Sequence, residues 1–182
     1  MEEGRRELLR ARESDPLDLQ INTNLAWLFI QARQYDQAIE QCRRTLELDA
    51  SYNSAYFALG RAFMYKRMYP EAIAANQKAI TIRGESLSGQ LGLAQAYAYA
   101  GKRREAEKIL NGFDLNTRRK FPYLFAELYV ALGENDRAFL YLERAYQVRA
   151  FQISSLKLEP LWDPLRSDPR FQELLRRIGF WN

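Results

Sequence analysis

Apolar residues recur along the chain at offsets of three, four and seven, the spacing of one face of an α-helix. The stretch YFALGRAF, residues 56–63, shows the arrangement: Tyr56, Leu59, Gly60 and Phe63 share a face. The same arrangement returns in two columns, Leu25, Leu59, Leu93, Phe125 and Phe29, Phe63, Tyr97, Tyr129. A third column, Ala38, Ala72, Ala106 and Ala138, follows at the same spacings of 34, 34 and 32 residues. One period shared by three columns marks a repeat architecture. In each unit a small residue (Ala26, Gly60, Ala94 or Ala126) lets a second helix approach, and the second half supplies that helix, with Ala72 and Ala79 in the second unit. The pattern therefore predicts antiparallel helix pairs turning at ARQY, KRMY, AGKR and LGEN. Gly101 and Gly133 stand in two of these turns, where a helix C-terminus takes a left-handed residue.

The end of the chain departs from the period. DPLRSDPRF, residues 163–171, holds two Asp-Pro steps, and each reads as a helix start, with Asp capping and Pro at the first helical position. Asp163-Pro164 predicts a short turn ending near Ser167, and Asp168-Pro169 opens a longer helix with Phe171, Leu174, Leu175 and Ile178 on one stripe. A solenoid needs such a final helix, apolar inside and polar outside, to cover its last packing face. The first step is expected to steer the chain back over the fourth unit.

These residues resemble the tetratricopeptide repeat, whose pattern is W-x2-L-G-x2-Y, then A-x3-F, then P over 34 residues. The second unit matches best, through Tyr56, Leu59, Gly60, Phe63 and Ala72. Asn22, Gln90 and Pro122 stand where the pattern has Trp, and Ala50 and Gly84 replace its closing Pro. The resemblance implies an all-α fold, a right-handed superhelical solenoid, as one domain over residues 1–182. Its units are a half repeat at 1–18, repeats at 19–52, 53–86, 87–118 and 119–150, and a C-terminal cap at 151–182. Stepping back one period from Ala38, Cys42 and Ala50 lands on Gly4, Leu8 and Pro16, so residues 2–14 read as a second helix without its first, and the chain is expected to be a fragment of a longer protein. The tail also resembles the C-terminal ends of bacterial signalling proteins that join such an array to an N-terminal winged-helix, kinase or nucleotide-cyclase module.

Composition narrows the chemistry. The chain is 47% apolar and 27% charged, which is ordinary for a folded domain and far from disordered extremes. It has no histidine and one cysteine, so the commonest general base and metal ligand are absent and no internal disulfide forms. No glycine-rich phosphate loop or metal-ligand spacing is present, and neither catalysis nor a cofactor is expected. There is no secretory leader pattern and no apolar run long enough to span a membrane, so a cytoplasmic protein is expected. The net charge of +4 comes from scattered doublets such as Arg43-Arg44 and Arg176-Arg177. NTRRKFPY, residues 116–123, is the best candidate for nucleic-acid contact, but cations at helix ends favour the helix dipole and stay solvated, which makes that the weaker expectation. Cys42 falls on the inward column with Asn76, Leu110 and Leu142 and is expected to be a buried thiol.

In the resembled family the first helix of each unit lines a concave surface. Counting from each unit's start places Thr23, Trp27, Ile30, Gln31, Phe57, Arg61, Met64, Tyr65, Leu91, Gln95, Tyr99, Tyr123 and Glu127 along it. Large amphipathic rings with an Arg are what peptide-binding hot spots use, so the expected function is a protein interaction scaffold gripping a partner segment, the N-terminal module of the same chain being one candidate. Some members of the family hold a partner's terminal carboxylate through Lys and Asn on this face. Thr23 and Trp27 occupy the matching positions of the first unit, so that ligand is not expected. The competing reading is homo-oligomerisation through apolar surface around Leu8 and Leu9.

Overall fold

Each of the four helix pairs closes through a tight left-handed turn, and two of them open on a side-chain cap, from Asp18 and Ser86, so the repeat is partly written into backbone hydrogen bonding before any packing is considered. The computed structural model describes residues 2–179. In it α1 (Glu2–Ser14) precedes α2 (Leu19–Gln31) and α3 (Tyr35–Leu48), α4 (Asn53–Tyr65) and α5 (Tyr69–Arg83), then α6 (Leu87–Tyr99) and α7 (Arg103–Asn111). A short α8 (Leu115–Lys120) leads to α9 (Pro122–Ala131) and α10 (Asn135–Gln147). Two 3₁₀ segments, Phe151–Ser155 and Pro160–Leu165, come before α11 (Pro169–Ile178). Met1 and residues 180–182, the ends of the expected half repeat and cap, lie outside the described residues.

The helices form two layers. α2, α4, α6 and α9 pack on one another in turn as an inner layer, and α3, α5, α7 and α10 each pack on the first helix of their own pair. α3 also packs on α4, and α5 on α6, so neighbouring pairs share one core. Ala38, Ala72, Ala106 and Ala138 have no exposed surface, which is why that column admits only a small side chain. The protein is thus an all-α solenoid of antiparallel helix pairs. Among the described residues no helix is long and apolar enough to cross a membrane.

The four turns inside pairs have one geometry. An amide just past the turn reaches back five residues, Gln34 to Phe29, Met68 to Phe63, Lys102 to Tyr97 and Glu134 to Tyr129, at 2.8–2.9 Å. This is the Schellman ending, and the residue before each donor sits in the left-handed region. Gly101 and Gly133 do so at φ 74°, as their positions predict, whereas Arg33 and Arg67 are forced to φ 61° and 60°. A side chain in that region crowds its own carbonyl, at a cost of order 1 kcal/mol. Arg67 makes its turn on the surface, so Arg67→Gly is expected to raise stability by about 0.5–1 kcal/mol. A urea titration would show a higher midpoint with an unchanged slope; an equal or lower midpoint would contradict the strain.

Two departures from the repeat have visible causes. Asn22, where the pattern has Trp, is buried, donates to the carbonyls of Pro16 and Asp18 at 2.9 and 2.8 Å, and accepts from Gln41 at 2.8 Å. It ties the end of the half repeat to the first full pair by hydrogen bonds instead of an aromatic ring. In the third pair α7 is nine residues long against fourteen in α3. Arg118 donates to the carbonyls of Leu110 and Phe113 at 2.8 and 3.1 Å, ending α7 early and holding α8, which crosses the expected 118/119 boundary.

At the C-terminus Asp168 caps α11 by accepting from the amide of Arg170 at 2.9 Å, with Pro169 first in the helix. Phe171, Leu174 and Leu175 are buried and α11 lies on α10, as the stripe predicts. The first Asp-Pro step is corrected at its start: the 3₁₀ segment begins at Pro160, after Glu159, and Asp163 sits inside it without capping it, although a turn from Asp163 to Arg166 does close the segment by Ser167. The Asp163 carboxylate accepts from Arg166 at 2.6 Å and keeps room for a distant partner.

Candidate functional site

The inner layer is the surface on which the expected binding residues lie, and it is only partly open. Thr23, Ile30, Met64, Leu91, Gln95, Tyr123 and Glu127 are buried. Trp27, Gln31, Phe57, Arg61, Tyr65 and Tyr99 keep only a minor part of their surface exposed. Part of the burial is helix packing; Thr23, for example, turns its hydroxyl back to the carbonyl of Leu19 at 2.8 Å. The rest comes from the chain itself.

The segment from Leu156 to Leu165 lies against the inner layer. Leu156 and Trp162 have no exposed surface, and Leu161 and Leu165 are each 1% exposed. The Trp162 indole N–H donates to the Tyr123 hydroxyl at 3.1 Å, with the two rings edge to face at 5.3 Å. The Tyr65 hydroxyl donates to the Glu159 carboxylate. Arg33 of the first pair holds Asp163 in a two-pronged contact at 2.6 and 2.8 Å. The segment therefore does not stop over the fourth pair, as its prolines suggest, but crosses to the second and the first, because Glu159 finds a donor in Tyr65 and Asp163 one in Arg33. The Arg33 hydrogen bonds hold the Asp163 carboxyl below its ordinary value.

Beside this segment lies a buried polar cluster. One nitrogen of Arg61 on α4 donates to Glu127 Oε2 on α9 at 3.1 Å, and the amide of Gln95 on α6 donates to the same oxygen at 3.2 Å. Burial opposes the charge on Arg61, but Glu127, Tyr65 and Glu159 outweigh it and hold the guanidinium above its usual value. Burial pushes the Tyr99 phenol up to about 12 and lifts the Glu159 carboxyl above the usual range despite Arg61 and the Tyr65 hydrogen bond. The inner face, read as aromatic with few charges, thus carries an ion pair at its centre with a second carboxylate close by.

What stays open is a recess of about 190 Å³ lined by Trp27, Phe57, Met64, Leu91 and Leu124, with Arg61, Asn76, Ser88, Gln95 and Glu127 as its polar members. Asn76 belongs to the second helix of its pair, and its side chain reaches the recess because Gly60 and Gly92 face it. A Cβ at Gly60 would lie 2.5 Å from its amide nitrogen, and one at Gly92 would lie 2.6 Å from its amide oxygen. Sequence spacing misses Asn76, Leu124 and Glu159; the only signal for Asn76 is glycine at both facing positions.

Each basic cluster has at least one cation taken up by a neighbour. Arg44 pairs with Glu40 at 3.1 Å, Arg103 with Glu107 at 2.7 Å, Arg176 with Glu173 at 2.8 Å and Arg177 with Glu143 at 2.8 Å. Within NTRRKFPY, Arg118 is spent on the carbonyls of α7. A nucleic-acid face would need these cations free of carboxylates. Cys42 is buried, and burial alone pushes its thiol up to about 12, so it packs and does not react.

A family model for the tetratricopeptide repeat matches residues 2–53 and 23–86. Among solved structures, a tetratricopeptide repeat protein from Parabacteroides merdae superposes with a TM-score of 0.64 at 17% identity, over 96% of this chain and 76% of that one. YrrB, a tetratricopeptide protein with an unusual peptide-binding site, gives 0.54 at 20% identity over 93% and 89% of the two chains. MamA gives 0.52 at 21% identity over 82% and 89%. At such identities these likenesses concern the fold.

Proposed function

We propose that this chain, which matches a tetratricopeptide repeat model over residues 2–86 and shares the fold of solved tetratricopeptide repeat proteins, is a protein interaction scaffold that binds a segment of a protein partner on its inner layer. The observation that carries the proposal is the recess between α2, α4, α6 and α9, where partly exposed rings surround a fixed polar cluster. Rigid aromatic walls around a few oriented polar groups favour an inserted side chain, since the rings lose little rotamer freedom on binding. The peptide-binding site reported for YrrB is consistent with this use of the fold. The resemblance of the tail suggests a regulatory module of a cytoplasmic bacterial signalling protein as the kind of partner. Self-association is the weaker reading: Leu8 is half-buried and Leu9 packs against the core, leaving little apolar surface there to pair.

A photo-cross-linking residue at Phe57, in the recess, compared with one at Lys78, exposed on the second helix of the same pair, tests the site. A discrete protein adduct from native lysate at position 57 and none at 78 is expected. Adducts at 78 alone, or equally at both, would move binding off the inner layer.

A further inference from the structure

Most of the large apolar side chains that the fold leaves exposed lie along α8 and α10. Five of the seven such residues among those described are Leu115 on α8, Phe121 just after it, Leu140 on α10, and Val148 and Phe151 beyond its end. Phe151 is 82% exposed and Val148 54%. With Phe121, Pro122, Leu124 and Ala150 these two line a groove of about 340 Å³ between the start of α9 and the end of α10. Leu140, Arg144 and Val148 follow one another at offsets of four, so one exposed face of α10 leads to the groove. Single exposed apolar residues are ordinary, but a cluster of them around a groove marks a contact surface.

Charge decides what that surface contacts. Lys120 lines the groove, Arg119 precedes it in the chain, and Arg149 stands between the lining residues Val148 and Ala150. Arg144 Nε donates to the Arg119 carbonyl at 3.4 Å, which joins the last turn of α10 to the end of α8. All four cations are exposed, and none meets a carboxylate among the described residues. The acids that flank them in sequence are engaged elsewhere: Asp114 accepts from the Thr117 amide, Glu127 from Arg61, Glu143 from Arg177 and Glu159 from Tyr65. We infer that the groove docks an acidic segment of a protein partner, whose apolar side chain enters between Phe121 and Phe151 while its carboxylates meet Arg119, Lys120, Arg144 and Arg149. A second copy of this chain would set the same cations against each other. A single-stranded nucleic acid needs open ring faces for stacking, but the Lys120 ammonium lies over the Phe121 ring, 5.5 Å from its centre, and Leu124, Val148 and Ala150 are aliphatic. An anionic membrane takes up apolar side chains that protrude together, whereas Pro122 is buried and Leu124 and Ala150 are partly so. The groove shares only Leu124 with the inner-layer recess, so the two can be filled independently.

Two blocked peptides, acetyl-Glu-Asp-Leu-Trp-Glu-Asp-amide and its uncharged counterpart acetyl-Gln-Asn-Leu-Trp-Gln-Asn-amide, titrated by NMR into ¹⁵N-labelled wild type, Phe151→Ser and the double variant Lys120→Gln with Arg149→Gln, test this. All three substituted side chains are exposed, so the variants keep the fold. In wild type the amides of Phe121, Val148 and Phe151 should shift, and the acidic peptide should bind about tenfold more tightly than the uncharged one at low salt, an advantage that shrinks as salt is added. Phe151→Ser should weaken both peptides about fivefold, and the double variant should bring the acidic peptide down to the affinity of the uncharged one. Equal affinity of wild type for the two peptides overturns the inference without depending on any variant. Undiminished binding by Phe151→Ser overturns it too, as do shifts at Trp27 and Phe57 in place of the groove, which would leave the inner layer standing as a binding face. If the acidic peptide leaves the groove amides unmoved while phosphatidylserine vesicles, a single-stranded oligothymidylate or a second copy of wild type at high concentration shifts them, the surface belongs to that occupant and the inference fails. If no probe shifts them the inference fails likewise, and the cross-link at position 57 is untouched by any of these results.

Discussion

Replacing Trp162 with alanine is expected to cost about 3–5 kcal/mol, the range for removing a large aromatic from a packed interior. Trp162 is among the largest fully buried side chains, and it belongs to a 3₁₀ segment with little helical hydrogen bonding of its own. The substitution leaves a cavity against α9 and takes the indole partner from the buried Tyr123 hydroxyl, leaving it Ser155. Stability in a solenoid is close to a sum of unit and neighbour terms, so the loss should be regional. Amide exchange in α2 to α5 should change little, while that of α9 and of residues 156–165 should quicken strongly. A loss under about 1 kcal/mol would mean that the indole is not docked where the structure places it.

The second large effect concerns the ion pair. Glu127→Ala strands Arg61 in the inner layer, where its side chain is 16% exposed, and also removes the partner of the Gln95 amide. Taking one member of a buried pair costs about 3–5 kcal/mol, and the residual exposure of Arg61 places this case near 3. The pair matters less as a pair. Arg61→Leu combined with Glu127→Leu removes both charges and should recover much of the loss, giving a coupling energy of about 1–3 kcal/mol in a double-mutant cycle. Denaturant titration of the four proteins measures it. Additive single substitutions would show that the two side chains do not share an interaction.

The parts of the fold that were legible in the sequence are those enforced within one repeat. Ala38 and its three counterparts announce the period because a helix pair closes over each of them, and Gly101, Gly133 and Asp168 announce turns and a cap through local backbone chemistry. Arg33 and Arg67 hide the same turn because tertiary packing holds a residue in a conformation its own preference opposes. NTRRK gives no sign of α8, since Arg118 acts on carbonyls of the helix before it. The inner-face positions were legible as a face and not as an open site. Which of them are covered depends on Glu159 meeting Tyr65 and Asp163 meeting Arg33, over separations of 94 and 130 residues. No local pattern encodes such contacts, because a carboxylate beside a proline reads first as a cap. Asn76 was missed for a related reason: it enters the recess from the second helix layer, through room left by two glycines.

The chain's own C-terminal segment closes part of the inner layer and leaves the recess open beside it. Hydrogen exchange of the indole N–H groups, read in a spectrum of protein labelled with ¹⁵N at tryptophan, tests that claim directly. Trp162 is fully buried and bonded to Tyr123, whereas Trp27 lines the open recess. The Trp162 signal should outlast that of Trp27 in deuterated solvent by a factor of about one hundred or more. Loss of both signals in the first spectrum would contradict the docked segment, and with it this division of the inner layer.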